Sequence, residues 1–455
     1  SSRQDVIVAT SSGRHPNSIL DLLSFPYIFR GALDVQASKI NENMLLAAAH
    51  SLADLARDEV TEEVERAYGF EHFTFGPEYL LPKPIDSRIF IRESTAVALK
   101  AIEENLAKIK IQNENYQESL NIRLGTGRDT MRNLILQARQ QKLRVVFSEG
   151  NSETILRSCS ILLEEGIAIP ILLGSENEIG EKIDSLDLDL HGIQIIDPSK
   201  SIKTENYVEQ YYKMRYRRGV ILPAAKDRLH QKDYFAAMMV HSGDADIMIA
   251  GFSTHYSETL SIIMQIVGPA QGIKRISSYY LALLPKDVVI LADCAVNIDP
   301  NSEELAEIAI LSAKTCKSLG IEPVIGMLSY SNFGSIDNSS VLKVRKATEM
   351  VKEKSLDFII DGEMQLATAR DEGIRKDYFP FTKLKSNANV LIFPDLQSAN
   401  LTLQSLQYMG NAVTVGPILM GTRLPVHLLQ YGSRVQDVVN LTTVAVVQAL
   451  EMRRI

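Results

Sequence analysis

The chain has 455 residues, of which 45% are hydrophobic and 23% charged, so it has the composition of a globular protein that is too long for one ordinary core. We expect two to four compact units. The formal net charge of −8 argues against nucleic acid as a partner, because such binding needs lysines and arginines clustered on one face. The one basic run, residues 213–218, is more typical of a solvated helix face.

The three cysteines, Cys159, Cys294 and Cys316, lie far apart and form neither a disulfide framework nor a zinc pattern. Three cysteines without a paired motif predict a protein of the reducing cytoplasm that has no metal site. No apolar stretch approaches the ~20 residues that a membrane span needs, so we expect no membrane association. No initiator methionine precedes the first apolar run, which predicts a fragment of a longer protein.

The first hundred residues alternate between strand and helix patterns. Residues 6–9 predict a buried strand, a polar loop follows, and the apolar spacing of residues 40–57 predicts a helix. This order is typical of a doubly wound α/β domain. Three prolines in residues 76–84 exclude a helix there. Residues 95–121 are polar and predict one linker helix.

A second α/β domain is predicted from near Asp129. The strands 143–147 and 169–173 enclose a helix and form a βαβ unit. Further strands are predicted at 193–196, 247–250, 288–292, 323–328, 358–361, 390–393 and 413–415. Their carboxyl ends carry polar loops, which is where open α/β sheets bind ligands.

The first segment resembles a known family over roughly residues 5–100. The strings FPYIFRGALDV, INENMLLAAA and FGPEYLLPKP are similar to the end of the nucleotide-binding domain of bacterial multidomain NADP-dependent malic enzymes. The resemblance implies the oxidative decarboxylation of malate to pyruvate with NADP and Mg²⁺ or Mn²⁺ as cofactors. The dinucleotide fingerprint is absent, since Gly125-Thr-Gly127 has no third glycine, so we expect this chain alone to be inactive on malate.

One position departs from that family. Where its members have an Asn-Asn pair that contacts malate, this chain has Leu20 and Asp21. A carboxylate at Asp21 would repel the malate dianion, which makes Asp21 a candidate substrate-site residue. The alternative is that Asp21 caps a helix or faces solvent.

Residues 129–455 resemble phosphate acetyltransferases throughout. The resemblance is carried by ADCAVNIDP, GIEPVIGMLSYSNFGS, IIDGEMQ, IFPDLQSANLTLQ and VGPILMGTRLPVHLL, which occur in the family's order. It implies a two-lobed, doubly wound fold, with lobe one formed by residues 129–275 and the last helices, and lobe two by 276–417. The predicted domains are thus a Rossmann-like tail (1–107), a linker helix (108–128) and a phosphotransacetylase-like domain (129–455).

The resemblance also implies a cleft that binds acetyl-CoA. The loop of residues 329–335 offers hydroxyls, an amide and glycine N–H groups to a phosphate or a thioester carbonyl, although it could be a plain polar turn. The candidate acetyl-CoA residues are Ser329, Ser331, Asn332, Phe333, Gly334, Ser335, Lys343, Arg345, Gly416, Pro417, Gly421, Arg423 and Asp437.

The catalytic positions of active transacetylases are degenerate here. Gln430 and Tyr431 stand where the family has Ser and Arg, and Ser261 replaces a second arginine, while Asp437 is retained. Asp437 could equally be a surface residue in the first turn of the last helix. Loss of guanidinium contacts predicts that transfer to phosphate is crippled.

Three functions remain open. The first is a regulatory region of a malic enzyme that binds acetyl-CoA as an inhibitor and builds a homo-oligomer, a dimer or a larger assembly such as a hexamer. The second is an active phosphate acetyltransferase. The third is an oligomerisation module without a ligand. The apolar residues Ile308, Ile310 and Leu311 suggest that the second lobe forms the oligomer contact.

Overall fold

The computed structural model describes residues 7, 9–10, 17–19, 23–60, 64–65, 73–124, 126–190, 192–284, 287–354, 356–410 and 412–454. The chain divides into two compact units, Ser1–Asp129 and Thr130–Ile455. Among the described residues, none of the helices combines the length and the apolar character required to cross a membrane. The Leu20 and Asp21 positions and residues 11–16 lie outside the described residues, so the interpretation of Asp21 stays a prediction.

The first unit is mainly helical. Its elements are β1 (Ala9–Thr10), β2 (Asn17–Ser18), α1 (Phe25–Asp34), α2 (Glu42–Arg57), α3 (Arg88–Glu103) and α4 (Asn113–Leu124). The strands β1 and β2 pair in parallel. Helix α2 begins where the Asn41 side chain accepts the Met44 N–H, and it buries Met44, Ala48 and Leu52 along one face.

Helices α1 and α3 approach each other closely because Gly31 has no side chain. A Cβ at Gly31 would clash with the Ser94 carbonyl oxygen and lie 2.9 Å from the Val97 Cβ. The predicted single linker helix over residues 95–121 is wrong. The chain leaves the helix after α3, with Asn105 at φ 57°, and α3 itself buries Val97 and Ala98.

The second unit contains a five-stranded, all-parallel sheet in the order β13-β6-β3-β4-β5. Its strands are β3 (Leu143–Phe147), β4 (Ala168–Leu173), β5 (Gln194–Ile196), β6 (Ile247–Ala250) and β13 (Val426–Leu428). The residues of β6 are completely buried, as expected for a strand covered by helices on both faces.

A six-stranded sheet follows in the order β10-β9-β11-β8-β7-β12. Its strands are β7 (Ser277–Leu284), β8 (Asp287–Ala292), β9 (Val324–Leu328), β10 (Ile359–Met364), β11 (Val390–Ile392) and β12 (Val413–Met420). The strands β8 to β11 are parallel, whereas β7 runs antiparallel to both β8 and β12. The chain passes from β12 in this sheet to β13 in the other, so the two sheets are joined at this point.

Helices cover both sheets. They are α5 (Thr126–Arg139), α6 (Glu153–Glu164), α7 (Glu176–Ser185), α8 (Thr204–Arg215), α9 (Leu222–Leu229), α10 (Lys232–His241), α11 (Tyr256–Ile266), α12 (Ser302–Ser318), α13 (Ser339–Glu353), α14 (Leu366–Arg370), α15 (Glu372–Tyr378), α16 (Leu396–Tyr408) and α17 (Val435–Arg454). Helix α12 starts with a capping box of Asn301 and Glu304.

The apolar face of α12 is not available to a partner. Ile308 and Leu311 are buried in the core of the second unit, and Ile310 packs against that core. Ile308 and Leu311 are therefore not available to a partner chain, and the expectation that the second lobe forms an oligomer stays a prediction. The α/β fold class is confirmed by the all-parallel five-stranded sheet, the mixed six-stranded sheet and the helices that alternate with their strands.

Candidate functional site

A cavity of about 1340 Å³ lies in the second unit where four strands end. The loops that follow the carboxyl ends of β6, β8, β11 and β13 line it, and so do the first turns of α13 and α16. Its lining consists of Gly251, Ser253, Thr254, His255, Tyr256, Cys294, Ala295, Ile298, Asp299, Ser339, Ser340, Lys343, Asp395, Leu396, Gln397, Asn400, Leu429, Gln430 and Tyr431. Both sheets thus contribute walls.

The wall formed by residues 251–256 is anchored to the neighbouring strand by Glu149. The Glu149 carboxylate accepts the Ser253 N–H at 3.0 Å and the Ser253 hydroxyl at 3.2 Å, and its other oxygen accepts the Ser148 hydroxyl at 2.9 Å. Burial raises the pKa of the Glu149 carboxyl, with a further contribution from the negative charge of Asp233. Glu149 therefore ties the loops after β3 and β6 together.

A second carboxylate supports the same wall from α10. The Thr254 and Thr259 hydroxyls lie 2.8 Å apart, and the Thr259 hydroxyl donates to Asp233 at 3.3 Å. Thr259 is completely buried in α11. Asp233 and Thr259 thus hold this wall in place without lining the cavity themselves.

The wall after β8 is organised by Asp293, which is 3% exposed. Its carboxylate accepts the backbone N–H groups of Ala295, Val296 and Asn297 at 2.9–3.2 Å, and also the Ser278 hydroxyl. These bonds turn the chain between Cys294, Ala295, Ile298 and Asp299, which line the cavity. Burial raises the pKa of the Cys294 thiol well above its usual range, so it stays protonated and is a poor nucleophile.

Two helix N-termini and one lysine are the groups of this cavity that can attract an anion, beside the carboxylates of Asp299 and Asp395. The Asn338 side chain caps α13 by accepting the Ser340 N–H, and Asp395 caps α16 by accepting the Ser398 N–H. Lys343, on the first turns of α13, pairs with Asp299 at 2.5 Å, although 79% of the Asp299 side chain is exposed. Such a partner is easily exchanged for a ligand anion.

Three of the residues predicted from the sequence line the cavity, namely Lys343, Gln430 and Tyr431. Lys343 lies on α13, whereas Gln430 and Tyr431 follow β13 of the five-stranded sheet. The turn that carries Gln430 is closed by Ser433, whose hydroxyl donates to the Gln430 carbonyl at 2.7 Å.

The predicted loop of residues 329–335 does not line the cavity. Its polar groups satisfy one another or the strand beside it: the Ser331 and Ser335 hydroxyls lie 2.8 Å apart, and the Gly334 N–H donates to Glu363 at 2.6 Å. The Ser329 hydroxyl accepts the Ser331 N–H, the Asn332 side chain accepts the Gln365 N–H, and the Phe333 ring contacts the Phe379 and Phe381 rings.

Two predicted cations are engaged elsewhere. Arg345 pairs with Glu363 at 3.0 Å and with Asp337 at 3.1 Å. Arg423 donates to the Ile266 carbonyl at 3.2 Å and lies 3.3 Å from the Nδ1 of His241. Neither lines the cavity, which leaves Lys343 as the predicted cation that does.

The remaining predicted residues do not line the cavity. Gly416 and Pro417 are joined by a cis peptide bond within β12, and Gly421 follows that strand with φ 78°. Asp437 accepts the Arg434 N–H at 2.8 Å in the first turn of α17. It therefore serves at least as a helix cap.

Several lining residues were missed by sequence reasoning. Ser339, Ser340, Asp395 and Asn400 sit at or near helix starts, and the Asn338 and Asp395 caps were the available signal. Tyr256 has no such signal. In the part of the chain that the structure describes, no three His, Cys, Asp or Glu side chains come together as a metal site.

Comparison with known proteins gives two kinds of relative. NADP-dependent malic enzyme from Escherichia coli is 38% identical over 453 residues, which is 98% of this chain and 60% of that protein. The chain thus spans about three fifths of the length of the curated malic enzymes it matches. Phosphate acetyltransferase from Nitratidesulfovibrio vulgaris is 37% identical over 317 residues, 70% of this chain and 45% of that protein.

Solved structures of phosphotransacetylases are similar to this chain as well. A phosphotransacetylase from Streptococcus pyogenes is 33% identical with a TM-score of 0.68, covering 71% of this chain and 99% of that one. Residues 129–446 match the family described as Phosphate acetyl/butaryl transferase. The resemblance of the whole chain to multidomain malic enzymes is confirmed by these relatives. Through its second unit, the chain belongs to the phosphate acetyl/butaryl transferase family.

Proposed function

We propose that this chain is the regulatory and oligomerisation region of a cytoplasmic NADP-dependent malic enzyme, in which the cavity binds acetyl-CoA as an allosteric inhibitor and does not transfer its acetyl group. The complete enzyme would convert malate to pyruvate with NADP and Mg²⁺ or Mn²⁺. The described residues do not fit that metal, because no three ligating side chains cluster there. We therefore assign no step of malate oxidation to them.

The composition of the cavity lining carries this proposal. Its residues include one cation, Lys343, which is paired with Asp299, and no arginine. Gln430 and Tyr431 occupy the wall after β13. Phosphate, the acceptor of the acetyl group in a transacetylase, is held most firmly by bidentate guanidinium groups, and one lysine paired with an exposed carboxylate holds it more weakly. The lining therefore supports binding better than transfer to phosphate.

The size of the cavity favours a large ligand. Its volume of about 1340 Å³ exceeds the roughly 300–1,000 Å³ of ordinary small-molecule sites. CoA thioesters are long and carry phosphates at one end. The hydroxyls of Ser339 and Ser340, Lys343 and the N-termini of α13 and α16 supply donors for those phosphates.

The oligomer is supported by exposed aromatic side chains at and after the end of α15. Tyr378 is 72% exposed and Phe381 is 62% exposed, and both belong to an aromatic cluster with Phe333 and Phe379. Contiguous apolar surface of this kind marks interaction sites. Sedimentation should give at least a dimer at micromolar concentration, and a monomer would contradict this part of the proposal.

Calorimetry with acetyl-CoA tests the binding step. Lys343→Ala should weaken binding by about 1–3 kcal/mol, since it removes a charged hydrogen bond. Lys346→Ala is the matched control, because Lys346 lies one turn further along α13, is 62% exposed and does not line the cavity. No heat with acetyl-CoA would instead favour an oligomerisation module without a ligand.

Two activity assays complete the test. Phosphate-dependent release of CoA from acetyl-CoA should stay at background, and a rate close to that of a true transacetylase would refute the regulatory role. In the complete enzyme, acetyl-CoA should reduce malate-dependent NADPH formation. Lys343→Ala should move that inhibition to higher acetyl-CoA concentration.

A further inference from the structure

Helix α3 of the first unit buries a carboxyl group that has no cation beside it. Glu93 is 0% exposed, and its neighbours Ser94 and Thr95 are buried as well. In the part of the chain that the structure describes, no positive charge contributes to the ionisation of the Glu93 carboxyl. Because a buried charge without a partner is costly, the neutral form of this carboxyl is favoured.

Glu93 is bonded to the residue that precedes α1. The Ser24 hydroxyl donates to Oε1 of Glu93, whereas Oε2 has no hydrogen-bond partner among the described residues. The Ser24 side chain makes no capping bond to α1 itself. The Tyr27 and Ile28 N–H groups donate to the Ser24 carbonyl at 3.1 and 3.0 Å. Ser24 therefore joins the start of α1, residues 24–26, to Glu93 of α3.

The rest of α1 is attached to α3 independently of Glu93. The Ser94 hydroxyl donates to the Tyr27 carbonyl at 3.1 Å, and the missing side chain of Gly31 lets α1 approach the Ser94 carbonyl closely. At the start of α1, in contrast, Phe25 is 64% exposed. The start is therefore the part of α1 that can move away from α3 while the rest stays packed.

The charged groups on the elements packed against α3 do not neutralise Glu93. Those of α1 and α3 form ion pairs, namely Arg30 with Asp34, Arg88 with Asp86, Arg92 with Asp58 and Lys100 with Glu103. The pKa of Glu93 also receives no contribution from Tyr27 of α1, from Glu42, His50, Asp54 and Arg57 of α2, or from Tyr116 of α4. Burial raises the pKa of Glu93 from 4.5 to about 7, although the Ser24 hydroxyl lowers it.

We propose that ionisation of Glu93 releases the start of α1 from α3, so that this end of the helix opens as the pH rises. The neutral carboxyl stays buried beside Ser24, whereas the carboxylate is hydrated once residues 24–26 move away, and its proton passes to water. The closed state is thus fully favoured below about pH 4.5 and loses this advantage as the pH rises through about 7.

The proposal goes beyond the acetyl-CoA site and does not depend on it. Ser24 follows Asp21, the candidate malate-site residue, by three positions in the sequence. Opening at Ser24 would therefore make the segment that contains Asp21 respond to the proton concentration.

Hydrogen–deuterium exchange of the full chain at pH 6 and pH 8 tests the opening. The Tyr27 and Ile28 amides report it, because their bonds to the Ser24 carbonyl break when the start of α1 moves. After correction for the intrinsic pH dependence of exchange, their protection should fall about tenfold between the two pH values, as follows from pKa values of 4.5 in the open and about 7 in the closed state. In Glu93→Gln, which is neutral at both pH values, protection should not change.

Glu103→Gln is the matched control, because Glu103 lies on the same helix and its side chain is 69% exposed. It should behave like the unaltered chain. Ser24→Ala should move the midpoint of the fall to higher pH, since the hydroxyl lowers the pKa of Glu93. The same fall in Glu93→Gln as in the unaltered chain would overturn the proposal. An equal fall throughout α2 would overturn it too, because the whole unit would then unfold and not the start of α1 alone.

Discussion

His427 should make the folded state sensitive to mild acid. It lies in β13, is fully buried, and accepts the Leu419 N–H at its Nδ1 at 3.3 Å, while its Nε2 has no hydrogen-bond partner among the described residues. Burial lowers the pKa of His427 to about 3. In the unfolded chain the same imidazole has its ordinary pKa of about 6.5. The folded state therefore keeps His427 neutral over a range where the unfolded state is protonated.

The sign of the effect follows from this difference. Because the folded pKa is depressed, the stabilisation is complete above about pH 6.5 and is lost as the pH falls towards about 3. Each pH unit in this window costs about 1.4 kcal/mol, so the loss between pH 6.5 and pH 5.0 is about 2 kcal/mol.

Urea unfolding at pH 7.5 and pH 5.0 measures this loss. Carboxylates titrate too, so the useful quantity is the pH-dependent change in the free energy of unfolding, compared between the unaltered chain and His427→Gln. Between these two pH values the free energy of unfolding of His427→Gln should fall by about 2 kcal/mol less than that of the unaltered chain. His230→Gln is the control, since His230 is exposed in the same unit, and it should behave like the unaltered chain. Equal losses in all three proteins would refute the reasoning.

Two further predictions concern the walls and the first unit. Glu149→Ala should speed amide hydrogen exchange in residues 251–256 and weaken CoA binding several-fold, because Ser253 loses both of its bonds; unchanged exchange would contradict this role. Gly31→Ala should destabilise the first unit by about 1–3 kcal/mol in thermal unfolding, because the added Cβ clashes with the Ser94 carbonyl. Gly180→Ala, which meets nothing within 4 Å, should be neutral or slightly stabilising.

The sequence predicts most of the parallel strands but misses β7 and β13. β3, β4, β6 and β8 are short apolar runs between polar turns, a pattern that is typical of buried strands. β7 was missed because it begins with Ser277, Ser278, Tyr279 and Tyr280, whose hydroxyls hide their burial in a simple reading of hydrophobicity. β13 was missed because the polar His427 stands at the centre of its three residues, whereas the equally short β11 is entirely apolar.

The candidate site shows a different limit. The resemblance to a family placed Gln430, Tyr431 and Lys343 at the cavity, but it placed the loop of residues 329–335 there too. Whether a polar loop faces a ligand depends on which groups it already satisfies, and Glu363 takes up both the Gly334 N–H and the Arg345 guanidinium. Glu363 is distant in sequence from both groups, so no local pattern reveals the pairing.

The way the walls are held bears on the proposal that the cavity binds CoA without transferring an acetyl group. The walls are held by Glu149, Asp233 and Asp293, which act from behind the lining and do not line the cavity. Gln430 and Tyr431, in contrast, lie on an exposed turn closed by its own backbone and Ser433. Substitutions at these two positions change the groups offered to a ligand without removing a bond that shapes the cavity. The cavity can therefore keep its shape although Gln430 and Tyr431 replace the serine and arginine of active transacetylases. Binding without transfer is what the proposed regulatory site requires.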